Sequence, residues 1–119
     1  MASSVTKVIS FEDLKALLGK SEHLFLVDVR TKDEVDKGYI QGSVHIPLDT
    51  VDAAFSMAPD KFKEKYKVTK PLCDAPELVF YCMMGMRGTT ATNKAYELGY
   101  VNARNYTGGY KEWSVKEKK

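Results

Sequence analysis

Cys82 stands directly after the apolar run Leu78-Val79-Phe80-Tyr81 and is followed by Met83-Met84-Gly85-Met86-Arg87-Gly88 before a helical pattern sets in. A cysteine that only fills core space has no need of a glycine and an arginine close behind it. A cysteine that must carry negative charge uses both. Gly85 permits backbone conformations closed to other residues, so successive N–H groups can turn inward as an anion-binding nest. A helix beginning near Thr89 would aim its free N–H groups and the positive end of its dipole back at the loop. A thiol in such a place ionises more readily than a free one and becomes a nucleophile. Arg87 adds a fixed cation that either faces a ligand or braces the loop.

The elements that must position this loop can be read from the pattern. Val5 to Ile9 can be a first strand, followed by a capping box at Ser10-Phe11-Glu12-Asp13 and a helix with Phe11, Leu14, Leu17 and Leu18 on one face, stopped by Gly19. Leu24 to Val27 reads as a strand covered on both faces, ending in Asp28-Val29-Arg30. Thr31 to Glu34 is a second capping box opening a short helix, and Arg30 can pair with Glu34 across one turn. Gly38 to Gly42 is a turn, Ser43 to Ile46 a short strand closed by Pro47, and Thr50 to about Lys67 one or two helices with Pro59 at a start. Leu78 to Tyr81 is another buried strand, and the helix from Thr89 ends at Gly99. Ala103 to Tyr106 is a last strand, Gly108-Gly109 a turn, and Tyr110 to about Lys116 a closing helix. Alternating strands and helices predict an α/β domain with a mostly parallel sheet, centred on the strands that end at Asp28 and Cys82. In such sheets ligands bind beyond the carboxyl ends of the strands, which is where Cys82 falls.

Composition excludes several functions. At 119 residues with a net charge of +2, the chain has room for one domain and no charge excess to attract nucleic acid or an anionic membrane. No apolar run approaches the roughly 18 residues of a membrane span, and the first residues lack a signal-like core, so a cytoplasmic protein is expected. The lysines at 61, 63, 65, 67 and 70 are interspersed with Asp60 and Glu64 and read as a solvated helix face. Two cysteines and two distant histidines give no metal-ligand spacing, so neither metal nor cofactor is expected. Cys73 is read as inert; to act as a resolving thiol its Cα would have to lie within about 7 Å of that of Cys82. His45 reads as a satisfied core residue, and Tyr110 and Trp113 as core residues of the closing helix.

Three segments together resemble the single-domain rhodaneses, a family of thiosulfate sulfurtransferases: "FLVDVRTKDEVDKGYIQGSVHIPL", "LVFYCMMGMRG" and "ARNYTGGYKEW". Small stand-alone members are most similar. The departures are Tyr39 in place of a usual His, Ser43 in place of a frequent Ala, and Gly88 where a Ser commonly follows the arginine. The resemblance implies a three-layer α/β domain over residues 1–119, with a central five-stranded sheet, helices on both faces and loose ends at 1–4 and 116–119. It implies that Cys82 takes sulfur from a donor as a persulfide and passes it to an acceptor. Thiosulfate or a persulfide would be the donor and glutathione, cyanide or a thiol protein such as thioredoxin the acceptor, with the chain a monomer. Met83, Met84, Gly85, Met86, Arg87 and Gly88 would bind the substrate, their amides surrounding the sulfur, while Asp28, Arg30, Gly108 and Gly109 would shape the walls. One rival reading is a module that carries or senses persulfide without turnover. Another is a phosphatase or arsenate reductase on the same fold. Four residues separate Cys82 from Arg87, one fewer than cysteine-dependent phosphatases place around a tetrahedral phosphate, and the shorter loop favours a single sulfur.

Overall fold

Five short segments form the sheet: β1 (Val8–Ile9), β2 (Phe25–Asp28), β3 (Val44–His45), β4 (Leu78–Tyr81) and β5 (Arg104–Tyr106). The helices are α1 (Phe11–Lys20), α2 (Lys32–Asp36), α3 (Val51–Ser56), α4 (Pro59–Tyr66), α5 (Met86–Glu97) and α6 (Gly109–Lys116), with a 3-10 turn at Leu48–Thr50. The structure is a computed structural model and describes residues 7–20 and 24–117.

The strand order is β1-β5-β4-β2-β3, and each neighbouring pair is parallel. The mostly parallel sheet expected from the sequence is therefore parallel throughout. β4 is the middle strand and all its residues are buried. Successive side chains on a strand point to opposite faces. Leu78, Phe80 and Cys82 accordingly join one apolar cluster with Val29, Phe55 and Phe62, while Val79 and Tyr81 join another with Leu14, Leu26 and Tyr106. Helices α3, α4 and α5 cover the first face. Helices α1 and α6 cover the second, tied together by Phe11 against Trp113 at 5.3 Å between ring centroids.

Strands β2 and β4 run in register from Phe25–Leu78 to Asp28–Tyr81 and so end side by side. Beyond β4 the chain passes through α5 to β5 on one side of the sheet; beyond β2 it passes through α2 to β3 on the other. Parting connections of this kind open a crevice at the carboxyl ends of the two strands. Cys82 is the first residue past β4 at that crevice.

Local signals explain most boundaries. Ser10 Oγ accepts the Asp13 N–H at 3.1 Å, and Thr31 with Glu34 forms the reciprocal capping box of α2. Pro59 opens α4, and Gly99 takes a positive φ just past α5. Several expectations need correction. Gly19 does not stop α1, which runs to Lys20; a glycine ends a helix when it adopts the left-handed conformation, and Gly19 does not. Helix α5 begins at Met86 rather than Thr89, and α6 takes in Gly109. Lys116, expected in a loose end, belongs to α6. The expected strand residues Val5 and Thr6, and the expected loose ends at 1–4 and 118–119, lie outside the described residues.

Candidate active site

The early start of α5 changes how the Cys82 loop is built. Gly85 caps the helix with φ +103°, and the first helical bond runs from the Thr89 N–H to the Gly85 carbonyl at 2.9 Å. Met86, Arg87 and Gly88 are thus the first turn of the helix, and their N–H groups precede that first bond. The turn at Gly85 brings its own N–H to 3.0 Å from Cys82 Sγ, and Cys82 is only 2% exposed. Of the amides from Met83 to Arg87 expected around the sulfur, that of Gly85 is the one bonded to it among the described residues. A side chain at Gly85 would be strained by the positive φ and would press on the Thr107 carbonyl at 2.8 Å.

Three groups hold the loop from outside. The Gly85 carbonyl accepts from Asn105 Nδ2 at 3.0 Å and from Thr89 Oγ1 at 3.0 Å as well as from the Thr89 N–H. The Cys82 carbonyl accepts from the Tyr110 N–H at 2.8 Å, and the Met83 carbonyl from the Lys111 N–H at 3.1 Å. The N-terminal turn of α6 therefore draws these oxygens away from the sulfur, whose anion they would repel. Gly109, with φ +66°, lies against both carbonyls, leaving no room for a Cβ. Finally, the Arg87 guanidinium forms a two-pronged pair with Glu34, Nη1 to Oε1 at 2.6 Å and Nη2 to Oε2 at 2.9 Å.

That pair corrects the expected Arg30–Glu34 bridge. Arg30 instead turns inward: its Nη2 lies 2.7 Å from Asp28 Oδ2 and 2.7 Å from the Gly38 carbonyl, and its guanidinium stacks over the Tyr110 ring at 4.4 Å. Asp28 also accepts the Tyr81 hydroxyl at 2.8 Å, and that hydroxyl accepts the Ile40 N–H at 3.0 Å. Ser43 Oγ, which departs from the pattern of similar sequences, lies 3.1 Å from the same hydroxyl. Burial pushes the Tyr81 hydroxyl pKa up, so it stays a protonated donor at the residue before Cys82. Asp28 and Arg30 thus sit behind the loop, and their polar network pins the end of β4.

The Glu34 carboxyl pKa is lowered to about 2, chiefly by the Arg87 hydrogen bonds. Because this value lies below the ordinary 4.5, the pair is fully formed above that pH and is lost only as the pH falls towards 2. Arg87 is occupied in bracing, so Arg87→Met should reduce turnover of thiosulfate and of an uncharged persulfide donor by the same factor, about 10- to 100-fold. Glu34→Gln keeps the cap and removes the charge; it should do the same, and the double variant should be no worse than either single one. A rise confined to the KM for thiosulfate would instead mean that Arg87 binds the donor.

Two residues escaped the sequence reading. Asn105 is fully buried, and its Oδ1 has no partner among the described residues. It faces Gly88, where a Cβ would collide with it. The glycine after the arginine is therefore the space that Asn105 needs to reach the Gly85 carbonyl. Nothing in the local sequence links positions that the sheet brings together from so far apart. Glu34 was read as a cap and is also the loop's brace. The other expected residues are dispersed. Met83 is half-buried, whereas Met84 and Met86 are 63% and 83% exposed at the rim. Gly108 caps α6 one residue from the carbonyls. His45 Nε2 lies 2.7 Å from the Arg30 carbonyl. Cys73 is exposed beside Gly99, at the far end of α5, about 18 Å of helix away from the loop. It cannot resolve a bond at Cys82.

The chain matches the rhodanese-like domain over residues 10–116. The human thiosulfate:glutathione sulfurtransferase is 42% identical over 109 residues, which covers 92% of this chain and 94% of that protein. The mouse thiosulfate sulfurtransferase/rhodanese-like domain-containing protein 3 is 43% identical over 115 residues, covering 96% of this chain and 72% of that one. The solved structure of human single-domain sulfurtransferase TSTD1 superimposes with a TM-score of 0.90 at 40% identity, covering 96% of this chain and all of that one.

Proposed function

The chain belongs to the rhodanese-like domain family and is a thiosulfate sulfurtransferase, and we propose that Cys82 is its sulfur carrier with glutathione as the acceptor. In the first step the Cys82 thiolate attacks the outer sulfur of thiosulfate. A sulfur–sulfur bond forms to Cys82, the bond to the sulfonate group breaks, and sulfite leaves with the electron pair. In the second step the glutathione thiolate attacks the terminal sulfur of the persulfide, yielding glutathione persulfide and returning Cys82 as a thiolate. Both leaving groups are stable anions, so neither step needs a general acid.

The observation that carries this reading is the Gly85 N–H held 3.0 Å from a sulfur whose neighbouring carbonyls are bonded elsewhere. A donor fixed beforehand stabilises the negative charge of thiolate and persulfide alike. The exposed Met84 and Met86 offer a soft apolar rim that a thiol protein such as thioredoxin could also use. The test is intact mass after incubation with thiosulfate: one added sulfur atom is expected, removed again by glutathione. An unchanged mass in the presence of excess thiosulfate would refute the carrier role.

A further inference from the structure

Beside the loop, between α5 and the turns that follow β2 and β3, lies an open cleft of about 350 Å³. That volume suits a small ligand. Pro47 and Leu48 give it apolar surface, Asp49 and Asp52 stand on one side, and Arg87 and Lys94 on the other. Arg87, in the first turn of α5 just past Gly85, lines one end of the cleft, so that end adjoins the Cys82 loop. Lys94 lies two helical turns further along α5, about 10 Å away.

At that far end one cation stands among two carboxylates. Lys94 Nζ lies 3.0 Å from Asp52 Oδ2, and the two side chains are 36% and 61% exposed. Asp49 is exposed and has no bonded partner among the described residues. A dianion such as thiosulfate would meet two carboxylates here, and a plain cation would meet Lys94. A group that carries an ammonium and a carboxylate on the same carbon suits both partners. It can replace one exposed ion pair, itself worth little, by two charge-assisted contacts.

We propose that this cleft binds the α-amino-acid end of the acceptor thiol, its ammonium on Asp52 and its carboxylate on Lys94. The inference rests on the glutathione reading above. Glutathione ends in such a group on its γ-glutamyl residue, and the extended chain from that α-carbon to the cysteine thiol spans about 9 Å. Bound at Asp52 and Lys94 and laid along α5, it brings its thiol towards Cys82. Selectivity for glutathione over simpler thiols then resides in α3 and α5, outside the sulfur-carrying loop.

Steady-state assays of Asp52→Asn and Lys94→Met, with thiosulfate held constant, test this. Each variant should raise the KM for glutathione about tenfold at unchanged kcat, the signature of lost uniform binding, while the KM for cyanide moves less than twofold. Glutathione acetylated on its amino group should show the same rise with the unaltered enzyme, and Asp52→Asn should add nothing to it. Unchanged glutathione KM values in both variants would overturn the cleft assignment alone, as would equal rises for glutathione and cyanide. If the unaltered enzyme passes sulfur to cyanide and never to glutathione, the acceptor reading fails and this assignment falls with it.

Discussion

Cys82→Ser should fold as the unaltered chain does and lose thiosulfate-dependent sulfite release on the order of 10⁴-fold or more, the scale seen when a covalent nucleophile is removed. A serine hydroxyl is nearly the size of the thiol and can still accept the Gly85 N–H, so the loop keeps its closest contact. What it lacks is reactivity. A hydroxyl attacks only with a neighbouring base to take its proton, and the one histidine among the described residues, His45 in β3, has Nε2 engaged with the Arg30 carbonyl. Sulfite release and thermal melting, measured on the same preparation, separate chemistry from folding. Cys73→Ser is the paired control and should retain full activity, because its thiol lies at the opposite end of α5. Substantial turnover by Cys82→Ser, or equal damage from Cys73→Ser, would remove Cys82 from the mechanism.

The largest effect on stability should come from Asp28→Ala. Both members of the Asp28–Arg30 pair have side chains only 1% exposed. Removing the carboxylate leaves a buried guanidinium whose remaining partners are the Gly38 carbonyl and two aromatic faces. Breaking a buried pair from one side costs about 3–5 kcal/mol. In a domain of this size that lowers Tm by about 10–20 °C. Tyr81 loses its acceptor at the same time. Asp28→Asn, which keeps an acceptor without the charge, should fall between the two. Replacing both members by apolar residues, Asp28→Leu with Arg30→Met, should recover part of the loss, since the penalty arises from the unpaired charge. Melting curves that place the double variant below Asp28→Ala would show that the pair acts in some other way.

How much of this was legible in the sequence depended on how far apart the interacting residues lie. The strands around Asp28 and Tyr81, the Thr31–Glu34 cap and the Cys82–Gly85 turn are local, and local spacing announced them. The start of α5 was misplaced because Gly88 looks like a helix breaker. The helix tolerates it, since Asn105 occupies the space a side chain would need. Arg30, Glu34 and Arg87 show the limit more sharply. One helical turn made Arg30 and Glu34 natural partners, yet burial beside Asp28 claimed Arg30, and the fold supplied Arg87 to Glu34 from 53 residues away. A periodicity argument ranks partners along the chain. It has no access to those that the sheet order selects.

The bonds from α6 to the Cys82 and Met83 carbonyls have a consequence for synthesis of the protein. The ribosome produces the nucleophile, its loop and α5 well before it produces β5 and α6. A nascent chain that has emerged as far as Glu97 already exposes the thiol, but Asn105 and the N–H groups of Tyr110 and Lys111 are still inside the ribosome and cannot fix the loop around it. Strand β1 must likewise wait for β5, its partner in the sheet. Sulfur-transfer competence should therefore appear abruptly, when residues 104–111 leave the ribosome, instead of growing with chain length. Until then the cysteine is an ordinary thiol on an unfinished sheet.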